Sequence, residues 1–586
     1  MTFPPPDSTT DESASPEYDT ANSTANSVPT DTNEVARHGW KALVALVAGA
    51  AIVGLIQWRA PETDYQKALL QSLAAGGIAS LVVLYQLQRA SLAARKGWLV
   101  PTVCLALILS AVVLLRFESF SGEMVPRFSW RFGRSNTPAL KTTPLTEANS
   151  ATGENELADS EGPTDSQGTW REFLGDHRTG ILTERRFEIP TSANQVTRRW
   201  DIGIGAGWSS FAVSSGIAVT LEQRDEMECV SAYRLSDGQL LWLVEHEANH
   251  FQALGGGGPR STPAIVPATE LSPAKVYAQG ATGTVWCLSL SDGEILWQRD
   301  LLEITGWNQD DSEQAISWGR SGSPLIVDNL CVLPLGGPES EAVAGRSLVA
   351  LDAATGETRW RAGKQQISYA SPMIMTLGKK RQIVSVNEAE ITGHDVATGK
   401  ILWSFPWEGK SNSGANCASA IPAGKNQFLI GKGYGGGSSL IEVTRADTPS
   451  ASTTASSAAS DFVANEIWHS SRVLKTKFNH ALVHNGVAYA LSNGALQAVE
   501  IESGKRLWEQ SRRDRFGQGQ AVLVEDVLVV QSEEGDVALV AADPEEYREL
   551  IRIPALEHKT WNIPTVVDNL ILVRNAHRAI ALELPQ

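Results

Sequence analysis

From about residue 200 onward, eight short polar phrases hold most of the side chains that could bind or react. They are Ser209-Ser210, Arg260-Ser261-Thr262, Arg320-Ser321-Gly322-Ser323, Tyr369-Ala370-Ser371, Asn416-Cys417-Ala418-Ser419, Asn479-His480, Gln518-Gly519-Gln520 and Trp561-Asn562. Most stand just before a Pro or Ala that opens an apolar run, such as Pro263, Pro324, Pro372, Ala420, Ala481 and Pro564. The candidate binding set is Ser210, Arg260, Thr262, Arg320, Ser323, Tyr369, Ser371, Asn416, Asn479, His480, Gln518, Trp561 and Asn562. Two arginines, an imidazole, amides and hydroxyls suit a small anion or a peptide. The plainer alternative is a hydrated channel whose polar groups satisfy one another. The phrases are poor in carboxylates, and neither Ser-His-Asp nor zinc-ligand spacing is visible, so no catalytic or metal-binding residue is assigned. The runs Gly255-Gly256-Gly257-Gly258 and Gly433-Tyr434-Gly435-Gly436-Gly437 lack the Lys-Ser/Thr and following helix of a phosphate loop, and read as connections.

The elements that must position these phrases are legible as a repeat. A glycine followed four residues later by tryptophan occurs as Gly238/Trp242, Gly293/Trp297, Gly356/Trp360, Gly399/Trp403 and Gly504/Trp508. With Trp200 and Trp468 included, the spacing is about 40 residues with insertions, the range of a four-stranded propeller blade. The glycine suits a tight hairpin, because it takes positive φ without a Cβ clash. Alternating stretches such as Ser347-Leu348-Val349-Ala350-Leu351 read as half-buried strands. The tryptophans Trp200, Trp242, Trp297, Trp360, Trp403, Trp468 and Trp508 read as wedges between blades, with no catalytic role. The count gives an all-β, eight-bladed propeller of four-stranded blades. In the seventh blade Ile551 takes the tryptophan's place. The eighth has only three strands of its own, so Gln195–Trp200 at the front of the domain is expected to complete it and leave no open seam.

The phrase Leu351-Asp352-Ala353-Ala354-Thr355-Gly356-Glu357-Thr358-Arg359-Trp360 resembles the PQQ-type propeller repeat, Ala-Leu-Asp-x-x-Thr-Gly-x-x-x-Trp. That repeat is shared by quinoprotein dehydrogenases and by the propeller lipoprotein of outer-membrane barrel assembly. The stretch Trp170-Arg171-Glu172-Phe173-Leu174-Gly175-Asp176-His177-Arg178-Thr179-Gly180-Ile181 resembles the lead-in of PQQ-like propellers of planctomycete-type bacteria, as does Lys559-Thr560-Trp561-Asn562. The resemblance spans about 170–586 and implies that the polar phrases start the inner strands and converge on a central funnel. A quinoprotein dehydrogenase of alcohols or sugars would need PQQ and calcium held by Glu, Asn and Asp, with an Asp base. Such enzymes often carry an adjacent cysteine pair, and Cys104, Cys229, Cys287, Cys331 and Cys417 stand apart. No cofactor is therefore expected. PQQ with calcium remains the alternative.

A net charge of −17 over 586 residues argues against sequence-independent nucleic-acid binding. Residues 1–36 are rich in Ser, Thr, Pro and acids, and read as a disordered tail. Three apolar stretches, 40–58, 68–87 and 98–117, are each long enough for a bilayer core, with Trp40, Trp58 and Trp98 at their ends. Residues 37–118 thus read as a membrane anchor, 119–169 as a flexible linker and 170–586 as the propeller. A Ser/Ala/Thr run, 447–461, reads as a disordered loop. Arg89, Arg95 and Lys96 favour a cytoplasmic second loop, whereas Arg116, Arg127, Arg131 and Arg134 pull the other way. The resemblance favours an inner-membrane, multi-pass chain with a periplasmic propeller. The expected function is a non-enzymatic scaffold or ligand-binding module at the cell envelope, with envelope proteins or a small ligand as partner.

Overall fold

Five joints of the ring are made by a glycine turn shaped to receive the tryptophan of the blade before it: Gly238 with Trp200, Gly293 with Trp242, Gly356 with Trp297, Gly399 with Trp360 and Gly504 with Trp468. The structure, a computed structural model, describes residues 32–59, 65–133, 138–140, 168–338, 345–411, 414–446 and 461–586. The ring has eight blades. Blade 1 comprises Ala212–Ser214, Ile217–Arg224, Met227–Arg234 and Leu240–Glu247, from inside to outside. Blades 2 to 7 begin with inner strands Ala264–Val266, Leu325–Val327, Met373–Leu377, Ile421–Gly424, Leu482–His484 and Gln520–Val524.

At the seats, each tryptophan indole donates to a backbone carbonyl of the next blade. Trp242 Nε1 reaches Leu290 O at 2.8 Å, Trp297 reaches Ala353 O at 3.1 Å and Trp468 reaches Ile501 O at 2.7 Å. At five of these seats the next blade's turn glycine lies against the same ring, whereas Trp508 meets the glycine-free turn at Asp543. A Cβ added to Gly293 would stand 2.8 Å from Trp242, and one on Gly356 would stand 2.8 Å from Trp297. These glycines also have φ of +77° and +72°, so both backbone and neighbour require them. Trp403 is the exception. The turn that would receive it lies outside the described residues, and its indole donates instead to Gln382 Oε1 in its own blade, stacking on Phe428 of blade 5. Ile551 pairs with Leu539 at the tryptophan position of blade 7. Beside this position the register shifts in every blade, which sharpens the twist of the outer strand.

Blade 8 consists of Thr565–Val567, Leu570–Arg574, Arg578–Glu583 and the early strand Thr197–Gly203, with Trp200 opposite Ala581. The outer strand thus comes from the front of the domain, as expected. The apolar core runs between blades rather than down the axis. One cluster joins Val219, Leu221 and Val230 of blade 1 to Val276, Trp286 and Leu288 of blade 2.

By internal contacts the chain divides into two units, Met1–Ile52 with Ala75–Ser110, and Val53–Ala74 with Ala111–Gln586. The anchor region forms helices α1 (Thr32–Arg59), α2 (Tyr65–Ala93) and α3 (Leu99–Leu114). Two of these, α1 and α2, are long and apolar enough to cross a membrane. The third stretch, read as 98–117, is a shorter helix. It stops at Leu114 because the chain turns into a hairpin of β1 (Leu115–Phe120) and β2 (Pro126–Trp130). This corrects the sequence reading twice: residues 119–130 are not tether, and residues 32–36 are the first turn of α1 rather than tail. The rest of the tail, the tether over 141–167 and the loop over 447–460 lie outside the described residues.

Candidate functional site

The inner strands are tied around the axis by a belt of hydroxyls. The amide of Ser210 donates to Thr262 Oγ1 (3.3 Å), Thr262 to Ser323 Oγ (2.9 Å), Ser323 to Ser371 Oγ (2.9 Å) and Ser371 to Ser419 Oγ (3.0 Å). Ile563 closes back on Ser210 Oγ at 2.8 Å. The equivalent positions of blades 6 and 7 are His480 and Gln520, so the belt opens there.

Above the belt is a cavity of about 180 Å³. One wall sets Trp208, Trp561 and Phe478 against one another at tilted angles, with centroids 5.1 and 4.7 Å apart. Another holds Trp318 against Tyr369 at 5.0 Å and Tyr434 at 6.4 Å. Lys559 Nζ lies 4.2 Å from the Trp561 ring centre, and Lys477 Nζ lies 5.7 Å from that of Tyr434. Such placement suits an ammonium over the negative face of a ring. Burial lowers Lys559 to about 8, although Glu533 pulls the other way. Arg260 lines the cavity while donating to the carbonyls of Gly258 and Gly256, and burial lowers it to about 10.

His480 is 9% exposed, and neither ring nitrogen has a hydrogen-bond partner. Burial lowers it to about 4, so at neutral pH it offers one donor and one acceptor without charge. Cys417 also lines the cavity, but burial pushes its thiol up to about 12, which removes it as a nucleophile. Among the described residues lining the cavity there is no Asp or Glu. Among the described residues there is also no group of three or more His, Cys, Asp and Glu placed to hold a metal.

The lead-in segment forms the floor. Trp170 bridges Val213 of blade 1, and Arg171 O accepts from Ile265 of blade 2. Arg178, fully buried, donates to the carbonyls of Pro324 (2.9 Å) and Ser323 (3.3 Å) at blade 3. Phe173 meets His480 edge-on at 5.2 Å, and Gly180 O accepts from Leu523 of blade 7. The Phe and Arg of that motif therefore close one end of the channel.

Of the sequence-predicted residues, the cavity brings together Ser210, Arg260, Thr262, Tyr369, Ser371, His480 and Trp561. Ser323 serves the belt. Asn416 sends its amide nitrogen to the carbonyls of Asn387, Glu388 and Trp407, and Asn562 sends its own to Ser209 O, so both are structural pins. Arg320 is buried and held by Leu335 O. Asn479 and Gln518 are buried away from the cavity lining. Sequence reasoning missed Trp208, Trp318, Phe478, Tyr434 and Lys559. A signal existed: Trp208, Trp318 and Phe478 each stand one or two residues before a polar phrase.

Three solved structures are similar to this chain at low identity. BamB from Moraxella catarrhalis is 13% identical with a TM-score of 0.42, over 66% of this chain and 98% of that one. Quinohemoprotein alcohol dehydrogenase from Comamonas testosteroni is 12% identical with a TM-score of 0.48, over 76% and 86%. The computationally designed Ika8 protein is 13% identical with a TM-score of 0.44, over 66% and 99%. No curated protein matches the sequence. A family profile described as outer membrane protein assembly factor BamB matches residues 226–466 and 492–583, more than half of the chain. With its repeat matched from blade 1 to blade 8, the chain belongs to the PQQ-type propeller family of outer membrane protein assembly factor BamB.

Proposed function

We propose that this protein is a membrane-anchored interaction module of the cell envelope, whose funnel binds a protein segment or small ligand and performs no chemistry. The observation that carries this is the donor set of the cavity. A neutral His480 without a hydrogen-bond partner sits among aromatic walls and belt hydroxyls, with the buried cations Lys559 and Lys477 against the rings of Trp561 and Tyr434. Calcium needs several oxygen ligands, carboxylates foremost, and a quinone-dependent oxidation needs a base beside the substrate. Hydroxyls, imidazole and guanidinium do not fit that requirement, and we derive no step through PQQ.

The anchor in this reading has three spans. Helix α3 is only about 24 Å long, but Leu115 and Phe117 beyond it are exposed and apolar and extend the stretch. The apolar side chains of all three helices are largely exposed, as expected of surfaces made for lipid. The propeller is placed on the periplasmic side. Two of the opposing arginines are engaged within the protein, Arg127 with Glu534 and Arg131 with the carbonyls of Val112 and Leu115. That leaves the loop carrying Arg89, Arg95 and Lys96 as the stronger cytoplasmic signal. The family's name, an assembly factor, agrees with a binding role.

Two measurements test the reading. Purified chain with PQQ and Ca²⁺ is expected to reduce dye no faster than a propeller-free control across alcohols and aldoses. Turnover abolished by Arg260→Ala would put the quinoprotein dehydrogenase reading first. Full-length chain should stay in carbonate-washed membranes, and a periplasmic phosphatase fused after Phe117 should be active, whereas activity only of a cytoplasmic reporter at that point would refute the periplasmic placement.

A further inference from the structure

The turn joining β1 to β2 ends inside the mouth of the propeller. The Gly122 amide donates to Glu533 Oε1 at 2.5 Å, and the Gly122 carbonyl accepts from Lys477 Nζ at 3.1 Å. The Glu123 carboxylate takes both terminal nitrogens of Arg515, each at 2.7 Å, and Glu123 is 7% exposed. No side chain is tolerated at the glycine, because an added Cβ would lie 2.6 Å from Gln518 Cβ. The propeller therefore reads two residues by main-chain donor, main-chain acceptor, carboxylate fork and shape. Ser121, Gly122 and Met124 also line the aromatic cavity, so the turn covers its open end.

The rest of the hairpin holds on weakly. Phe117, Val125, Phe128 and Trp130 are exposed, and among the described residues the hairpin beyond its tip meets the propeller through the ion pair of Arg127 with Glu534 and the contact of Glu118 with His558. Burial also works against the buried charge of Glu123, holding its carboxyl above the usual range in spite of Arg515 and Lys477. Specific recognition with little apolar packing behind it describes an exchangeable occupant. A tether of this kind supplies an effective concentration on the order of millimolar, enough to fill the site without high intrinsic affinity.

We propose that the funnel mouth is a receptor for an acidic Gly-Glu turn, occupied at rest by the chain's own Ser121–Val125 turn and open to exchange for such a turn on a partner protein. This rests on the reading of the funnel as a binding site and names the chemistry of what it takes. Lys477 and Arg515 select the acid, Glu533 selects the main-chain amide, and Gln518 enforces glycine. Departure of the resident turn uncovers the aromatic cavity and a partner's turn covers it again, so turn binding and access to the cavity are linked.

The test uses full-length chain in detergent micelles and a cyclised peptide with the sequence of residues 119–127. Glu123→Lys in the chain sets two cations against each other and should release the resident turn. Peptide affinity is then expected to rise at least tenfold over the unmodified chain. Adding Arg515→Glu to that variant should remove the gain, and a peptide with Lys in place of Glu should not bind. Gly122→Val, which evicts the turn by bulk and leaves Arg515 intact, should match Glu123→Lys, with melting curves confirming that both are folded. Equal affinity for unmodified and released chains, or no binding to either released variant, overturns the proposal. That failure is distinct from failure of the funnel reading, which dye reduction and membrane retention report.

Discussion

Glu228 shows how much a single buried group can control. It lies on the third strand of blade 1, with one oxygen accepting from the amide of Ala281 in blade 2 at 2.6 Å and the other without a partner. Burial pushes its carboxyl up to about 7, which that one hydrogen bond offsets only in part. The folded state thus binds the proton more tightly than the unfolded chain, whose carboxyl titrates near 4.5. Its stabilising share is complete below about 4.5 and is lost as pH rises through 7, a difference of about 3 kcal/mol. Glu228→Gln should therefore flatten the fall of Tm between pH 5 and 8 relative to the unmodified chain, as read by thermal melts across that range. Parallel curves would show that Glu228 is ionised in the fold. At this scale the sequence was half legible. A polar residue before an apolar run marks the belt positions, because inner strands all begin at the axis. It cannot tell Arg260, which lines the cavity, from Arg320, which is buried against a carbonyl. Nor does it mark Asn416 as a pin, since that depends on which carbonyls two separate loops, at Asn387-Glu388 and at Trp407, leave unsatisfied.

Among elements, the Gly–Trp seat joins neighbouring blades, and it makes two demands on one residue. Gly356 needs positive φ for its hairpin and a bare Cα for the Trp297 ring. Gly486 has φ +80° but meets nothing within 4 Å of an added Cβ. Gly486→Ala should cost only the left-handed strain, about 1 kcal/mol. Gly356→Ala adds a collision with an indole that also bonds across the joint, and should cost about 3 kcal/mol. Equal losses in denaturant melts would mean that the ring yields and the seat is loose. The repeat, the blade count and the borrowed strand were legible because each rests on local periodicity. The hairpin Leu115–Trp130 was not. It buries little beyond Gly122 and Glu123, and composition does not report two residues that dock on side chains about 400 positions away.

For the molecule as a whole, one joint closes the ring, and it is made of groups from both ends of the domain. Arg574 of blade 8 donates to Thr220 Oγ1 at 2.7 Å and Leu221 O at 3.0 Å in blade 1, and to Gly205 O at 2.9 Å just after the borrowed strand. Glu222 accepts from Tyr233 (2.8 Å), Arg224 (2.9 Å) and the Gly205 amide. Burial alone would raise that carboxyl, but Arg224 and Arg574 hold it below its ordinary value. Removing Arg574 leaves this carboxylate short of one cation, and Arg574→Met should cost about 3–5 kcal/mol. Deleting residues 575–586 goes further. The strand Arg578–Glu583 lies between Leu570–Arg574 and Thr197–Gly203, and its Ala579, Ile580, Ala581 and Leu582 are fully buried. Without it the borrowed strand has no partner, two edges open and the cluster shared by blades 7, 8 and 1 meets water. Every blade leans on its neighbours, so the loss should not stay local. The truncated chain is expected to lose its single cooperative melt and to be cut by protease across several blades. Arg574→Met should keep one transition at lower temperature. A truncated chain that melts cooperatively within a few degrees of the intact one would show that blades 1 to 7 stand without closure, and that the borrowed strand is an ornament of the fold rather than its clasp.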